Sequence, residues 1–270
     1  MLRNFIEIAG VTDTGSVRQF NEDSIAHDAE SGVMVVADGM GGHRAGEVAS
    51  RMAVDIIFGA LQAGMADFKS SDDQHSPQLL VEQSIKRANE AVFGASEANT
   101  AYHGMGTTLV LAAFFDNRVT LAHIGDARIY RLRHHKLQLL TRDDSLLRDQ
   151  VELGVIAAED ARASHNRNLV TRALGIEPQV VPHLREDEAV PGDVYLLCSD
   201  GLNDLVEDAD IELIVNALQS NLPLAAHHLV QTAKDNGGFD NVSVILAKVR
   251  EPFSAKSRRS WLDRLLGWFR

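Results

Sequence analysis

The chain has 270 residues, 45% hydrophobic and 24% charged, which are the proportions of a globular protein with a sizeable core and exclude fibrous or wholly disordered chains. A net charge of -12 disfavours nucleic acid as a partner, because phosphate backbones are bound through basic surface. The single cysteine, Cys198, excludes an internal disulfide and a multi-cysteine zinc site, and the N-terminal MLRNFIEIAG lacks a signal-peptide core, so residence in the cytoplasm is expected.

In chain order, runs rich in Val, Ile, Leu and Phe at 33–38, 107–115, 118–125, 193–198 and 242–249 predict strands, each bounded by Gly, Asp or Asn. The longest apolar run, Leu109 to Phe115, falls short of the roughly 18 residues that a membrane span requires. After the first strand, Ala45, Val48, Ala49, Met52, Ala53, Ile56, Ile57, Ala60 and Leu61 recur at three- and four-residue steps and predict a helix with one apolar stripe. A polar connector, 62–76, leads into a second helix with Ser76 as N-cap and Pro77 in its first turn, running to about Ser96. Residues 141–190 read as a charged, irregular insertion, and 209–218 and 223–235 as two further helices. Strands, two helices, several strands, then helices and a final strand argue for an α+β fold of antiparallel sheet with segregated helices, not for regular βαβ alternation.

Composition changes near Glu251-Pro252, dividing a body at 1–250 from a basic, aromatic tail at 251–270. On a helix, Trp261, Leu262, Leu265, Leu266, Trp268 and Phe269 form an apolar face, with Arg258, Arg259, Arg264 and Arg270 at its margins and ends. Such a segment either caps the body, lies on an anionic membrane surface, or docks on a partner.

The chemistry is concentrated in aspartates. Asp38 ends VMVVAD, Asp126 ends VTLAHIGD, Asp200 ends VYLLCSD, and Asp240 opens the run into NVSVIL. One Asp beside Gly at a strand end is ordinary turn chemistry. Four on strands whose ends share a rim would repel without counter-charge, and oxygen ligands alone select Mg²⁺ or Mn²⁺ over Zn²⁺. Upstream, RQFNED places the Arg18 guanidinium before Glu22 and Asp23, as a phosphate clamp or as a surface salt bridge. The glycine-rich DGMGGHRAGE fails both nucleotide-loop patterns, and its glycines suit close approach of backbone to a metal, with the Gly39 carbonyl as a candidate ligand. His43 there is either a general acid for the leaving alkoxide or a helix cap or salt-bridge partner. No Cys-x5-Arg loop and no Gly-x-Ser-x-Gly elbow is present, and Cys198 reads as core.

The strings TDTGSVRQFNEDS, VVADGMGGHRAGEVAS, GMGTTLV, AHIGDARIYRL, NLVTRALG, CSDGLND and DNVSVIL, in this order, resemble the metal-dependent Ser/Thr protein phosphatases of the PPM (type-2C) family, most closely its compact bacterial members, over about residues 5–249. The resemblance implies two antiparallel sheets flanked by helix pairs, with two Mg²⁺ or Mn²⁺ ions in a cleft at one end. It implies Asp38 as bridging ligand, Asp200, Asp240 and the Gly39 carbonyl as further ligands, and Glu22 and Asp23 as acids holding the ions' waters. Asp126 with Asp200 resembles a third, weaker metal site, and Arg18 matches the phosphate-binding arginine. Residues 141–190 match a mobile flap, making Arg162, Arg167, Asn168 and Arg172 candidates for substrate contact, although the flap begins Asp143-Asp144-Ser145 where the family usually reads Asp-His-Ser. The implied reaction is hydrolysis of phosphoserine or phosphothreonine on proteins by a metal-bridged water, without a covalent phospho-enzyme, in a monomer whose partners include a Ser/Thr kinase or its substrates. The rival readings are a catalytically weak phosphatase-like binding module and a hydrolase of small phosphoesters.

Overall fold

A computed structural model describes residues 2–42, 44–67, 76–157 and 169–254. Eleven strands occur among them: β1 (Ile6–Asp13), β2 (Asp23–Asp28), β3 (Val33–Met40), β4 (Gly106–Thr107), β5 (Leu109–Phe115), β6 (Arg118–Ile124), β7 (Arg128–Arg133), β8 (Lys136–Leu139), β9 (His183–Glu188), β10 (Val194–Cys198) and β11 (Val242–Val249). The helices are α1 (Ala45–Asp67), α2 (Pro77–Ala98), α3 (Leu146–Glu152), α4 (Asp200–Asn203), α5 (Asp208–Leu218) and α6 (Leu222–Asp235). One sheet runs β1-β11-β10-β7-β8 and the other β2-β3-β5-β6-β9, with β4 beside β3. All their pairings are antiparallel.

Alternation along the strands explains the layering. On β3, Met34 and Val36 face the space between the sheets, where they meet Phe114, Tyr195, Leu197 and Ile245. Val33, Val35 and Ala37 face the other way, against Ala49, Ala53 and Ile57 of α1 and Ile85 and Val92 of α2. On β11, Ile245 and Ala247 point between the sheets, whereas Val244 and Leu246 meet Ile211 and Val215 of α5 and Ala226 and Leu229 of α6. Central strands buried on both faces must be apolar at every position, which is why they stood out as continuous runs. The result is a four-layer αββα fold.

Helix caps behave as the sequence indicates. Ser76 Oγ accepts from the Leu79 amide at 3.1 Å, with Pro77 in the first turn. By length and mean hydropathy α1 could cross a membrane, but its apolar stripe is spent on the core: Ala49, Ala53, Ile57 and Leu61 are fully buried. That helix runs to Asp67, beyond the stripe's last residue at Leu61 and into what reads as the connector.

Two expectations need correction. The insertion at 141–190 is not irregular throughout, since it contains α3, capped by Ser145 Oγ on the Arg148 amide at 3.3 Å, and the edge strand β9. The body also continues past Glu251: Phe253 is 2% exposed, its ring centroid 6.2 Å from that of Phe114, and its amide donates to Asn117 Oδ1 at 2.6 Å. The amphipathic face at 261–269 lies outside the described residues.

Candidate active site

Strands of both sheets end at one rim, and each delivers an acid there. In the β2–β3 pair Asp23 sits directly opposite Asp38. Asp38 closes the apolar part of β3, and its carbonyl accepts from the Thr108 amide and Thr107 Oγ1, both at 2.8 Å. From β6 the chain turns at Gly125, φ +94°, to present Asp126, 7% exposed. From the other sheet, β10 passes through Ser199 into Asp200, the first residue of α4, and Asp240 precedes β11. Asp38, Asp126, Asp200 and Asp240 therefore stand at the ends of strands held in place by burial on both faces, whereas Asp23 opens the edge strand β2.

Loop 14–22 covers this rim and is held by Asn241. Its side-chain oxygen accepts from the Glu22 amide at 2.8 Å, and its nitrogen donates to the carbonyls of Thr14 at 2.9 Å and Phe20 at 3.0 Å. The Glu22 carboxylate accepts from the amides of Gly46 and Glu47 in the first turn of α1, where the helix dipole favours a negative charge. Close approach demands glycine here: a Cβ on Gly39 would sit 2.1 Å from the Gly46 carbonyl oxygen, and one on Gly46 would sit 2.7 Å from Glu22 Oε1. Arg18 Nη2 donates to Asp240 Oδ2 at 2.7 Å, with about half of the guanidinium side chain exposed.

The carboxylates hold far more negative charge than their neighbours offset. Burial pushes Asp23 up to about 6, although Ser243 and Ser199 donate to its Oδ2 at 2.7 and 2.8 Å. Asp126 is pushed up to about 7 by burial and by the charge of Asp143. Asp38 lies well above the carboxylate range, raised by burial and then by the charges of Asp23, Asp200 and Asp126. Asp200 rises likewise through burial and the charges of Asp126, Asp204 and Asp240, and the Asp38 and Asp200 carboxyls share a hydrogen bond. Among the described residues, Asp23 Oδ1 and Asp200 Oδ1 are buried with no hydrogen-bond partner. Orphaned buried oxygens, mutual repulsion and an all-oxygen donor set fit hard divalent cations.

This charge makes a stability prediction. A carboxyl whose native pKa exceeds its unfolded value contributes stability that is fully present below the unfolded pKa, near 4, and is lost as pH rises through the native one. Metal-free protein therefore loses a few kcal/mol between about pH 4 and 8 from Asp23 and Asp126, whose native values lie about 6 and 7. Cations that replace the bound protons restore it. The melting temperature should rise with Mn²⁺ by on the order of 5–10 °C at pH 8 and by clearly less at pH 5.5. Equal shifts at both pH values in a thermal-denaturation series would contradict this account.

A second cluster, His123, Asp144 and His183, offers ligand atoms that all lie within 4.8 Å of one another. Its positive charge is already supplied. Arg172 Nη1 lies 3.0 Å from His183 Nε2 and 3.7 Å from Asp144 Oδ1, and the two imidazoles stack at 16° with centroids 4.6 Å apart, so their in-plane lone pairs do not converge on one point. Asp144, 4% exposed, instead ties the flap to the rim: its Oδ2 accepts from the Gly125 amide at 3.1 Å and its own amide donates to the Gly125 carbonyl at 2.8 Å.

Thus Arg18, Glu22, Asp23, Asp38, Gly39, Asp126, Asp200 and Asp240 gather at one rim. Arg172 is held at the base of the flap by Asp144 and His183. His43, Arg162, Arg167 and Asn168 lie outside the described residues. Asn241, Ser199 and Ser243 escaped the sequence reading, where Asp144 appeared only as a departure from the family's Asp-His-Ser; the Asp-Asn step before β11 and the Ser before Asp200 are the only local signals for the first two. Burial pushes the Cys198 thiol up to about 12, as expected of an inert core cysteine.

The protein phosphatase 2C family model matches residues 14–232. Serine/threonine protein phosphatase PstP of Mycobacterium tuberculosis is 40% identical over 247 residues, 90% of this chain, which thus spans 45% of that relative's length. Serine/threonine phosphatase stp of Listeria monocytogenes is 35% identical over 240 residues, 88% of this chain and 93% of the relative. A crystal structure of the catalytic domain of a serine/threonine protein phosphatase PstP in complex with two manganese ions superposes with a TM-score of 0.80 at 37% identity, covering 92% of this chain and 99% of that one.

Proposed function

The chain belongs to the protein phosphatase 2C family, and on that footing we propose that it hydrolyses phosphoserine and phosphothreonine on proteins by direct attack of water, with no covalent phospho-enzyme. The observation that carries this reading is the rim itself, where mutually repelling buried carboxylates with two orphaned oxygens stand beside a half-exposed guanidinium. Asp38, Asp200, Asp240 and the Gly39 carbonyl would hold two Mg²⁺ or Mn²⁺ ions, with Asp126 and Asp200 serving a third. Such ions acidify water and neutralise charge on a transferring phosphoryl group.

The chain's own groups do the rest. Glu22 and Asp23 accept hydrogen bonds from water in the cleft, their backbones fixed by Asn241 and by β-pairing. Arg18 presents its planar fork to phosphate oxygens and aligns the ester for in-line attack, its orientation set by Asp240. His43 is assigned as the general acid for the leaving alkoxide. Arg162, Arg167, Asn168 and Arg172 are assigned to substrate contact from the flap. The catalytic body extends through Phe253, and the chain beyond it to residue 270 serves as a tail for peripheral membrane contact or partner docking; the enzyme acts as a cytoplasmic monomer on phosphoproteins, a Ser/Thr kinase or its substrates among them.

The rival reading, a hydrolase of small phosphoesters, is tested by turnover. A phosphothreonine peptide should be hydrolysed with a kcat/KM at least about tenfold above that of a nucleoside monophosphate, since only the peptide reaches contacts beyond the phosphate. A preference for the nucleotide would overturn the protein-phosphatase reading.

A further inference from the structure

Loop 14–22 carries an apolar side chain that the chemistry above does not use. Phe20 is 47% exposed, two residues from Arg18 and two from Glu22. Its backbone is fixed, the carbonyl accepting from Asn241 Nδ2 at 3.0 Å. Its ring is fixed as well: the Arg44 guanidinium carbon lies 4.2 Å from the ring centroid, a cation–π contact. Together with Ala45, Ala101 and Tyr102, these two residues line a cavity of about 430 Å³.

The cavity adjoins the rim along the chain. Ala45 in its wall is followed by Gly46, whose amide bonds the Glu22 carboxylate. On the loop side, the step from Arg18 to Phe20 spans at most about 7 Å of chain. In an extended peptide the neighbours of a phosphorylated residue lie about 4 to 7 Å along the chain from it. A phosphate held at Arg18 thus brings a flanking side chain to the cavity. Apart from the Arg44 head and the Tyr102 hydroxyl, the lining side chains are hydrocarbon, so a polar flank would lose hydrogen bonds there and an apolar one would lose none. The Arg44 cation at the mouth also repels Lys or Arg in that position.

We propose that the Phe20–Arg44–Tyr102 cavity is a specificity subsite that accepts a large apolar side chain flanking the phosphorylated residue of a protein substrate. This rests on the protein-phosphatase reading above. Phe20 forms the floor of the subsite, and Arg44 keeps the ring in place.

The test compares two capped peptides, one with phosphothreonine between leucines and one with phosphothreonine between alanines. In the wild-type protein with Mn²⁺, kcat/KM should favour the leucine peptide by roughly tenfold. In Phe20→Ala the ratio should fall to about one. In Arg44→Ala, a change at an exposed position that leaves the core intact, it should fall to an intermediate value. The ratio is taken within each variant, so a general loss of activity cancels. A wild-type ratio near one overturns the subsite while leaving the phosphatase reading intact. A leucine preference that survives in Phe20→Ala also overturns it, because the discrimination then arises elsewhere. Failure of the wild type to hydrolyse either peptide overturns the phosphatase reading and the subsite with it.

Discussion

Asp38→Asn and Asp200→Asn should each lower turnover of a phosphothreonine peptide by at least about 10³-fold, and each should raise the stability of the metal-free protein at pH 8. The two effects have one cause. Both carboxyls are pushed well above the normal range, Asp38 by burial and then by Asp23, Asp200 and Asp126, and Asp200 by burial and then by Asp126, Asp204 and Asp240. Asparagine keeps the shape and removes a charge that only a cation can satisfy. Without metal the repulsion falls; with metal a ligand is gone, and roughly 4 kcal/mol of transition-state stabilisation goes with it. Loss of activity together with a raised melting temperature cannot be mistaken for misfolding, which would lower both. Asp240→Asn should lose activity to the same extent, and it also frees Arg18 from its 2.7 Å partner. Retained activity in all three variants would place the chemistry elsewhere.

Arg18→Ala should raise KM by roughly 10- to 100-fold and lower kcat by less, the size of one or two charge-assisted hydrogen bonds to phosphate. The guanidinium is held charged and aimed by Asp240, and about half of the side chain is open to solvent, so it can reach an incoming anion without repacking. Most of that interaction already exists with bound substrate, which is why KM carries the loss. Steady-state kinetics on one phosphopeptide decide the matter. A fall in kcat with KM unchanged would show that Arg18 acts only in the transition state.

Asp38, Asp126, Asp200 and Asp240 were legible because each stands at the end of a strand buried on both faces, where an ionisable residue breaks a continuous apolar run. The strands that escaped notice were of another kind. β1, β2, β8 and β9 are the four sheet edges, and β2 (DSIAHD) and β9 (HLREDE) carry polar residues that solvent tolerates on an edge. The interior strand β7, RIYRLR, hid for a different reason. Its arginines are neutralised by acids distant in sequence, Arg128 by Asp143, Arg131 by Asp187 and Arg133 by Asp193, each at 2.6 Å. The supports of the site were illegible on the same grounds. Ser199 and Ser243 reach Asp23 across 176 and 220 positions of chain, and no local pattern encodes such a contact. The Asp144–His183 pair, at 3.0 Å, likewise joins the start of the flap to an edge strand that could not be read.

The central claim, that the carboxylate rim works only when loaded with divalent cations, is tested most directly by phosphate release from a phosphothreonine peptide in metal-free buffer, before and after Mn²⁺ is added back. The account predicts no release above background after chelation and full recovery with Mn²⁺ in the wild type, with no recovery in Asp38→Asn. Undiminished release in metal-free buffer would contradict it.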